Sequence, residues 1–248
     1  MDLKGKFFIN GKIEVKTGLH IGGSKETLDI GGVDAQVIRT KDRVYIPGSS
    51  LKGKIRSLLE QKDGRFKKDK NNTLVKKDEN EGSPCECGKC GVCKIFGPHK
   101  SENIEEPVRI IIRDADCENK EIATETKMEN IIDRVKGTAI SPRSIERVTA
   151  GTMFDFEIIF NVYKDEDIGL INKFIEGMDL LEDDYLGGSG SRGYGEIEFR
   201  DIALKYRPKK YYEGVESAEK SMKDIKDINA LKESLKNKKS VEEIITIK

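Results

Sequence analysis

Four cysteines crowd into nine positions, Cys85, Cys87, Cys90 and Cys93, spaced C-x-C-x-x-C-x-x-C. Gly88 and Gly91 fall between them and allow the turns that gather sulfurs around one ion. Four thiolates suit tetrahedral zinc, and a site whose positions are all filled by protein is structural rather than catalytic. The spacing is not the usual pair of C-x-x-C knuckles, so His99 or Cys117 is an alternative for one ligand. Cys87, Cys90 and Cys93 also match the first three ligands of a ferredoxin run, which leaves an iron–sulfur cluster as the rival to zinc.

A second concentration of chemistry lies between Thr17 and Arg56. It holds Thr17-Gly18-Leu19-His20-Ile21-Gly22-Gly23, then Asp34 after Gly31-Gly32, then Pro47-Gly48-Ser49-Ser50-Leu51-Lys52-Gly53-Lys54-Ile55-Arg56. The last segment reads as a loop feeding a helix, with Ser49 or Ser50 as cap and Lys52 and Arg56 sharing one face. Free N–H groups and a partial positive charge at such a helix start make a seat for phosphate, the alternative being a surface helix with solvated lysines. No Gly-x-x-x-x-Gly-Lys-Ser/Thr run is present, so a nucleoside triphosphate is not implied. Asp34 is either a turn residue bonding its own backbone or a carboxylate that holds a divalent cation or positions a ribose hydroxyl. His20 is an anchor for its loop, and it can exchange a proton near neutral pH. Gly188-Ser189-Gly190-Ser191-Arg192-Gly193 follows a helix and precedes a strand, the wrong order for a dinucleotide fold. A glycine-dense loop still lets backbone N–H groups reach a phosphate, with Arg192 adding charge and Tyr194 a stacking face.

These residues need a frame. Phe154, Phe156, Ile158, Phe160 and Val162 alternate with polar neighbours, the clearest strand in the chain. Ile168, Ile171, Phe174, Ile175, Met178 and Leu181 step at three and four, the stripe of a helix packed on that sheet. Further strands are expected at Lys6 to Val15, Val108 to Ile112 and Glu196 to Phe199, with a hairpin joining Val37–Arg39 to Val44–Ile46 across Lys41 and Asp42. Residues 62–106 are too long and polar for an ordinary loop, and the metal explains them. Residues 121–148 alternate without an apolar face around Gly137 and Pro142, the pattern of a hairpin projecting from the body, with Ile140 and Val148 as its apolar contacts. After Lys205, Ile225, Ile228, Leu231 and Leu235 suggest a helix and Ser240-x-x-Glu243 a capping box. The pattern as a whole is an α+β ferredoxin-like sandwich.

The 248 residues carry 45 Lys+Arg against 45 Asp+Glu, so no global basic excess announces nucleic acid. The cations cluster instead: between Lys52 and Lys77 ten basic residues face only Glu60, Asp63 and Asp69. No apolar run nears the ~18 residues of a membrane span, and Met1-Asp2-Leu3-Lys4 does not open a signal peptide. A cytoplasmic protein with no membrane partner and reduced thiols is expected.

Leu19-His20-Ile21-Gly22-Gly23, Asp34, Ile46 through Arg56, Asn130-Ile131-Ile132-Asp133-Arg134, Ile145-Glu146-Arg147 and Asp184 through Gly195 together resemble the repeat-associated (RAMP) proteins of CRISPR effectors. The resemblance is closest to the backbone, or third, subunit of the type III-A Csm complexes, and it spans most of residues 6–200. It implies a ferredoxin-like, RRM-like RAMP core over 1–205, with a metal-bearing insertion at 62–106, a thumb hairpin at 121–148 that wedges between bases, and a charged helical extension at 206–248. It implies a subunit that polymerises along guide CRISPR RNA with further copies of itself and other Csm subunits, and that cuts complementary single-stranded target RNA at regular intervals. Asp34 matches the aspartate required for cutting, with Mg²⁺ or another divalent ion as cofactor beside the structural Zn²⁺. RNA contacts are expected from His20, Ser49, Ser50, Lys52, Lys54, Arg56, Arg134, Arg147, Arg192 and Tyr194. Two rivals stand beside this: a guide-RNA scaffold that does not cut, and a zinc-stabilised protein-interaction module without RNA.

Overall fold

The computed structural model describes residues 1–23, 33–40, 43–64, 83–117, 123–215 and 219–236. Gly31-Gly32, the turn at Lys41 and Asp42, the basic run from Arg65 to Lys77 and the Ser240-x-x-Glu243 box lie outside the described residues.

Alternation fixes which side of each strand meets the core. In β1 (Gly5–Val15), Phe7, Ile9, Ile13 and Val15 are buried, while the residues between them face the other side of the sheet. A short hairpin of β2 (Arg39–Thr40) and β3 (Arg43–Ile46) leads into α1 (Gly48–Lys62). Then come α2 (Gly91–Phe96), β4 (Ile110–Ile112), β5 (Ala115–Cys117) and a hairpin of β6 (Thr124–Ile132) and β7 (Ala139–Val148). The chain returns to the sheet as β8 (Met153–Val162), crosses by α3 (Asp167–Glu182) and re-enters as β9 (Ile197–Pro208). The short α4 (Lys209–Tyr212), β10 (Lys220–Ile225) and α5 (Ile228–Lys236) complete it.

The main sheet runs β10-β9-β1-β8-β5-β3-β2, with β4 also paired to β8. Its central order, β9-β1-β8-β4, comes from two split β-α-β units, β1–α1–β4 and β8–α3–β9, and every central pair is antiparallel. This is a ferredoxin-like arrangement. Gly11 lies at the register shift between β1 and β9, where a Cβ would come 2.8 Å from the Arg200 carbonyl and 2.9 Å from the Phe156 ring. On the helical side Leu51, Ile55 and Leu59 of α1 meet Ile171, Phe174, Ile175 and Met178 of α3 within one buried cluster. Each such side chain contributes about 1.5–3 kcal/mol by leaving water. A Cβ on Gly177 would fall 2.7 Å from Ile55 Cγ2, so the two helices approach where α3 has no side chain.

Two expectations change here. The boundary at residue 205 falls inside β9, and the following segment is more than a helical extension: β10 is an edge strand, and Ile225, Ile228, Leu231 and Leu235 are buried. The helix start also differs, since Pro47 is the residue before α1 and neither Ser49 nor Ser50 caps it; both lie inside the first turn. The cap comes from another segment, because Gly48 N–H donates to Asp114 Oδ1 at 2.8 Å. A carboxylate of the protein thus occupies the anion seat expected at the helix start. The Lys41–Asp42 region aside, β6 and β7 form a separate two-stranded sheet whose outer turn spans residues 133–137.

Candidate nucleic-acid interface and metal centre

The four cysteine sulfurs all lie within 4.8 Å of one another. Cys85 and Cys90 Sγ are 3.9 Å apart, as are those of Cys87 and Cys93. Tetrahedral coordination at about 2.3 Å spaces sulfurs roughly 3.8 Å apart, so the donor set fits one thiophilic ion. Neither His99 nor Cys117 belongs to the group: His99 N–H donates to the Cys85 carbonyl, and Cys117 pairs with Phe154 in the sheet. The N–H groups of Cys90 and Cys93 donate to Cys87 Sγ and Cys90 Sγ, each at 3.4 Å. Burial works against the Cys87 thiolate, but the N–H groups of Cys90 and Lys89 prevail and lower it to about 6. Burial pushes the Cys93 thiol up.

The knuckle is bolted to α1. Arg56 Nε donates to Glu60 Oε1 at 2.8 Å and Nη2 to the Cys85 carbonyl at 2.9 Å, while Glu60 Oε1 accepts the Cys85 N–H at 2.9 Å. Arg56 and Glu60 side chains are 14% and 6% exposed. Arg56 therefore faces the cysteine knuckle and not an open groove. The apolar side of α2, Val92, Ile95 and Phe96, joins the main core, with the Phe96 and Phe174 rings 6.1 Å apart.

The second centre forms where three loops meet the hairpin base. Leu19 and Val148 exchange backbone hydrogen bonds of 3.0 and 2.8 Å, which lays the Gly18–Gly22 loop against β7. His20 Nδ1 lies 2.6 Å from the Glu146 carbonyl, which can only accept, so Nδ1 carries hydrogen and the neutral ring keeps Nε2 as an acceptor. Gly188 N–H donates to the His20 carbonyl at 2.9 Å, and a Cβ on Gly187 would strike that oxygen at 2.3 Å; the glycine-rich loop sits directly on His20. Asp34 is exposed and bonds Ser144 of β7 reciprocally: Ser144 N–H and O–H donate to Asp34 Oδ2 at 2.6 and 3.0 Å, and Asp34 N–H donates to Ser144 Oγ at 3.1 Å. Those bonds, with the nearby Arg143 charge, hold the Asp34 carboxyl below the usual range. Ala35 bridges Ile145, Val37 N–H donates to Glu146 Oε2 at 3.0 Å, and Arg39 pairs with Glu146. Ala35 thus makes a single parallel bridge to β7, while Val37 and Ile38 pair with the Ile21–Gly22 loop.

The glycine loop carries the cations onward. Arg192, 62% exposed, pairs with Glu129 of β6 at 2.6 Å, and Lys127 Nζ donates to the Arg192 carbonyl at 3.0 Å. Lys54 Nζ sits 3.7 Å above the Tyr185 ring and 3.2 Å from Asp184, while Gly190 leaves room for that ring, which a Cβ would meet at 2.0 Å. Contacts therefore run without a break from Lys54 through Tyr185, the glycine loop, His20 and β7 to Asp34. Arg147 pairs with Glu125 at 2.7 Å and lies over Gly18. Lys52 makes no ion pair among the described residues, and burial, then Arg56, lowers its pKa.

Tyr194 does not offer the expected stacking face. It is 2% exposed, with Lys127 Nζ 4.4 Å and the Arg147 guanidinium 5.0 Å from its ring centre, so cations cover the ring. Burial and the neighbouring Glu129 push its hydroxyl up to about 12. Val148 also differs from expectation: at 1% exposure it anchors the hairpin base, whereas Ile140 is exposed. The hairpin shows Met128, Ile131, Ile132 and Val135 to solvent as well, Val135 at 94%. Their signal in the sequence was apolar residues in a segment with no apolar face to pair them. Arg134, in the outer turn, and Ser49 are exposed. Ser144 and Asp114 carried no local signal, because each acts on a residue far away in the chain, and the bond of Glu60 to Cys85 spans 25 positions.

No helix of the described residues is long and apolar enough to cross a membrane. The RAMP superfamily model matches residues 12–198. The chain is 55% identical over 243 residues to the protein of Methanocaldococcus jannaschii called CRISPR system Cms endoribonuclease Csm3, covering 95% of each. A protein of the same name from Methanothermobacter thermautotrophicus is 41% identical, with 94% of this chain and all of that protein aligned. A solved chain from the Csm3-Csm4 subcomplex of the type III-A CRISPR-Cas interference complex superposes with a TM-score of 0.67 at 45% identity, covering 95% of this chain and 97% of that one. With the ferredoxin-like core, the projecting hairpin and this similarity over nearly the full length, the chain belongs to the RAMP superfamily and, within it, to the Csm3 family.

Proposed function

We propose that the chain is the backbone subunit of a cytoplasmic type III-A CRISPR ribonucleoprotein, binding guide RNA along a filament of its own copies and cutting complementary target RNA with Asp34. The observation that carries this is an exposed, ionised carboxylate fixed at the hairpin base, at the end of an unbroken run of contacts that contains Lys54, His20 and Arg192. Lys52, Lys54, Ser49, Ser50 and His20 serve the guide phosphates and riboses from the α1 side. Arg192 joins them at the guide phosphates from the glycine loop, and Arg147 and Arg134 contact RNA from the hairpin. Arg56 and Tyr194 support this surface from beneath, through the knuckle and the hairpin base.

An ionised aspartate held below its ordinary pKa is a poor proton acceptor at neutral pH. Asp34 therefore acts by orientation: one oxygen is held by Ser144, and the other would accept from a ribose 2′-hydroxyl or hold a Mg²⁺ ion. A single carboxylate beside phosphate oxygens suits Mg²⁺, which dehydrates reluctantly and takes few protein ligands. Such an ion supplies charge neutralisation at the phosphate undergoing substitution. The 2′-oxygen bonds to its own phosphorus, the P–O5′ bond breaks, the hydroxyl proton passes to solvent and the leaving oxygen takes one up. The cysteine knuckle holds Zn²⁺, which replaces a hydrophobic core for the insertion and takes no part in cutting.

The test is the chemistry of the cut ends. Target RNA cut by the reconstituted ribonucleoprotein should carry 2′,3′-cyclic phosphate and 5′-hydroxyl ends, and a single 2′-deoxy nucleotide at a cut position should abolish that cut alone. Cleavage that continues at the 2′-deoxy position sinks the mechanism.

A further inference from the structure

We propose that Ser144 is the positioning residue for the acid: the hairpin strand β7, through this serine, sets which oxygen of Asp34 faces RNA. The inference rests on the cutting role of Asp34 given above and adds what orients it.

Asp34 is exposed, and among the described residues it is β7 that reaches its carboxylate. Ser144 does so by three bonds. Its N–H and O–H both reach Oδ2, at 2.6 and 3.0 Å, and its Oγ accepts the Asp34 N–H at 3.1 Å. Oδ2 is engaged twice and Oδ1 bonds nothing among the described residues, so the carboxylate presents one defined oxygen. The peptide units beyond are locked in the same register, because Ala35 N–H donates to the Ser144 carbonyl at 3.3 Å and Glu146 N–H to the Ala35 carbonyl at 2.9 Å. A displacement of β7 must therefore carry Asp34 with it. The hairpin expected to wedge between bases and the acid expected to cut between them are one mechanical piece.

Serine is suited to this task because it is short enough for its hydroxyl and its own N–H to reach a single oxygen. Alanine keeps the N–H bond and loses the hydroxyl donor and the acceptor for Asp34 N–H. Threonine keeps all three. Among the described residues the groups facing Asp34 are Ser144 and the Arg143 charge, both from β7.

The experiment uses the reconstituted complex of this chain, guide RNA and partner subunits, with Ser144→Ala, Ser144→Thr and Asp34→Ala, on labelled target under single-turnover conditions. Guide loading and target affinity are measured for each variant. The expected result is an about tenfold slower cut for Ser144→Ala, the loss of one bond to a charged group, with guide loading and target affinity unchanged. Ser144→Thr should cut within about threefold of the parent. Full-rate cutting by Ser144→Ala, while Asp34→Ala is inactive, overturns the inference and leaves the cutting role standing. Loss of guide loading or target affinity in Ser144→Ala also overturns it, since the serine would then be only structural. Cutting by Asp34→Ala removes the role of Asp34 itself and the inference with it.

Discussion

Arg56 of α1 donates to the backbone carbonyl of Cys85, a metal-knuckle residue 29 positions away, and shares the job with Glu60, which accepts the Cys85 N–H. One helix thus carries Lys54 against Tyr185 and Asp184 while holding the insertion through Arg56 and Glu60. Removing Arg56 strands a carboxylate that is almost wholly buried. Arg56→Ala should destabilise the fold by about 3 kcal/mol in urea unfolding, the usual range for a broken buried pair. It should also retain less zinc after dialysis against a mild chelator than Lys52→Ala. Equal stability and equal zinc in the two variants would return Arg56 to the surface.

Stripping the metal from the wild-type chain should unfold the knuckle and α2 and weaken the α1–α3 core beneath it. Chelation should expose all four thiols to a thiol reagent and lower the melting temperature, and zinc should restore both. A colourless protein with one zinc per chain is expected; visible absorption from iron would favour the cluster instead.

Tyr194 is a support, so its variants should report on the hairpin and not on base stacking. Tyr194→Phe keeps the ring between Lys127 and Arg147 and loses only the hydroxyl beside Glu129. That hydroxyl is buried without a hydrogen-bond partner among the described residues, so stability should change little, with guide and target affinity within about twofold of the parent. Tyr194→Ala should make β6 and β7 more sensitive to protease. Strong, base-specific loss of RNA binding in Tyr194→Phe would contradict the covered ring.

Glu182 adds a pH dependence unrelated to RNA. Burial, together with Glu198, Asp179 and Asp227, raises its carboxyl to about 7, and it accepts the Phe199 N–H at 2.6 Å. A carboxyl that binds its proton more tightly when folded favours the native state below its ordinary value of 4.5. That contribution fades as pH rises from 4.5 to about 7. Glu182→Gln should therefore gain stability relative to wild type at pH 8 and not at pH 4, measured by urea midpoints. A constant difference across that range would contradict the raised value.

The exposed apolar residues of the hairpin should matter to RNA and hardly to folding. Val135→Asp changes a side chain in open solvent, so stability should shift by no more than about 0.5 kcal/mol. In the assembled complex the same change should disturb target cutting at the sites next to the hairpin. A variant that cuts normally would show that the tip does not enter the duplex.

Much of this was legible where the physics is local. The alternation of Phe154 to Val162, the stripe of α3 and the cysteine spacing each name their own element, because the residues that act together are near neighbours. Arg56 and Tyr194 were harder to read. Helical spacing correctly puts Lys52 and Arg56 on adjacent turns, but nothing in it reveals that the knuckle folds back over one of them. Tyr194 lies in a glycine-rich loop that suggests openness, and its burial depends on Lys127 and Arg147 arriving from the hairpin. The capping of α1 by Asp114 and the holding of Asp34 by Ser144 join residues 66 and 110 positions apart, distances at which periodicity carries no information. Asp34 stood out through family resemblance; its spacing after Gly31-Gly32 on its own favoured a turn.

The most direct measurement is the cutting of labelled target RNA by complexes assembled with Asp34→Ala or with the parent chain, alongside guide loading and target affinity. The account predicts no cleavage product from the variant, with both binding measurements equal to the parent. Product formed at the parent rate by the variant would contradict it.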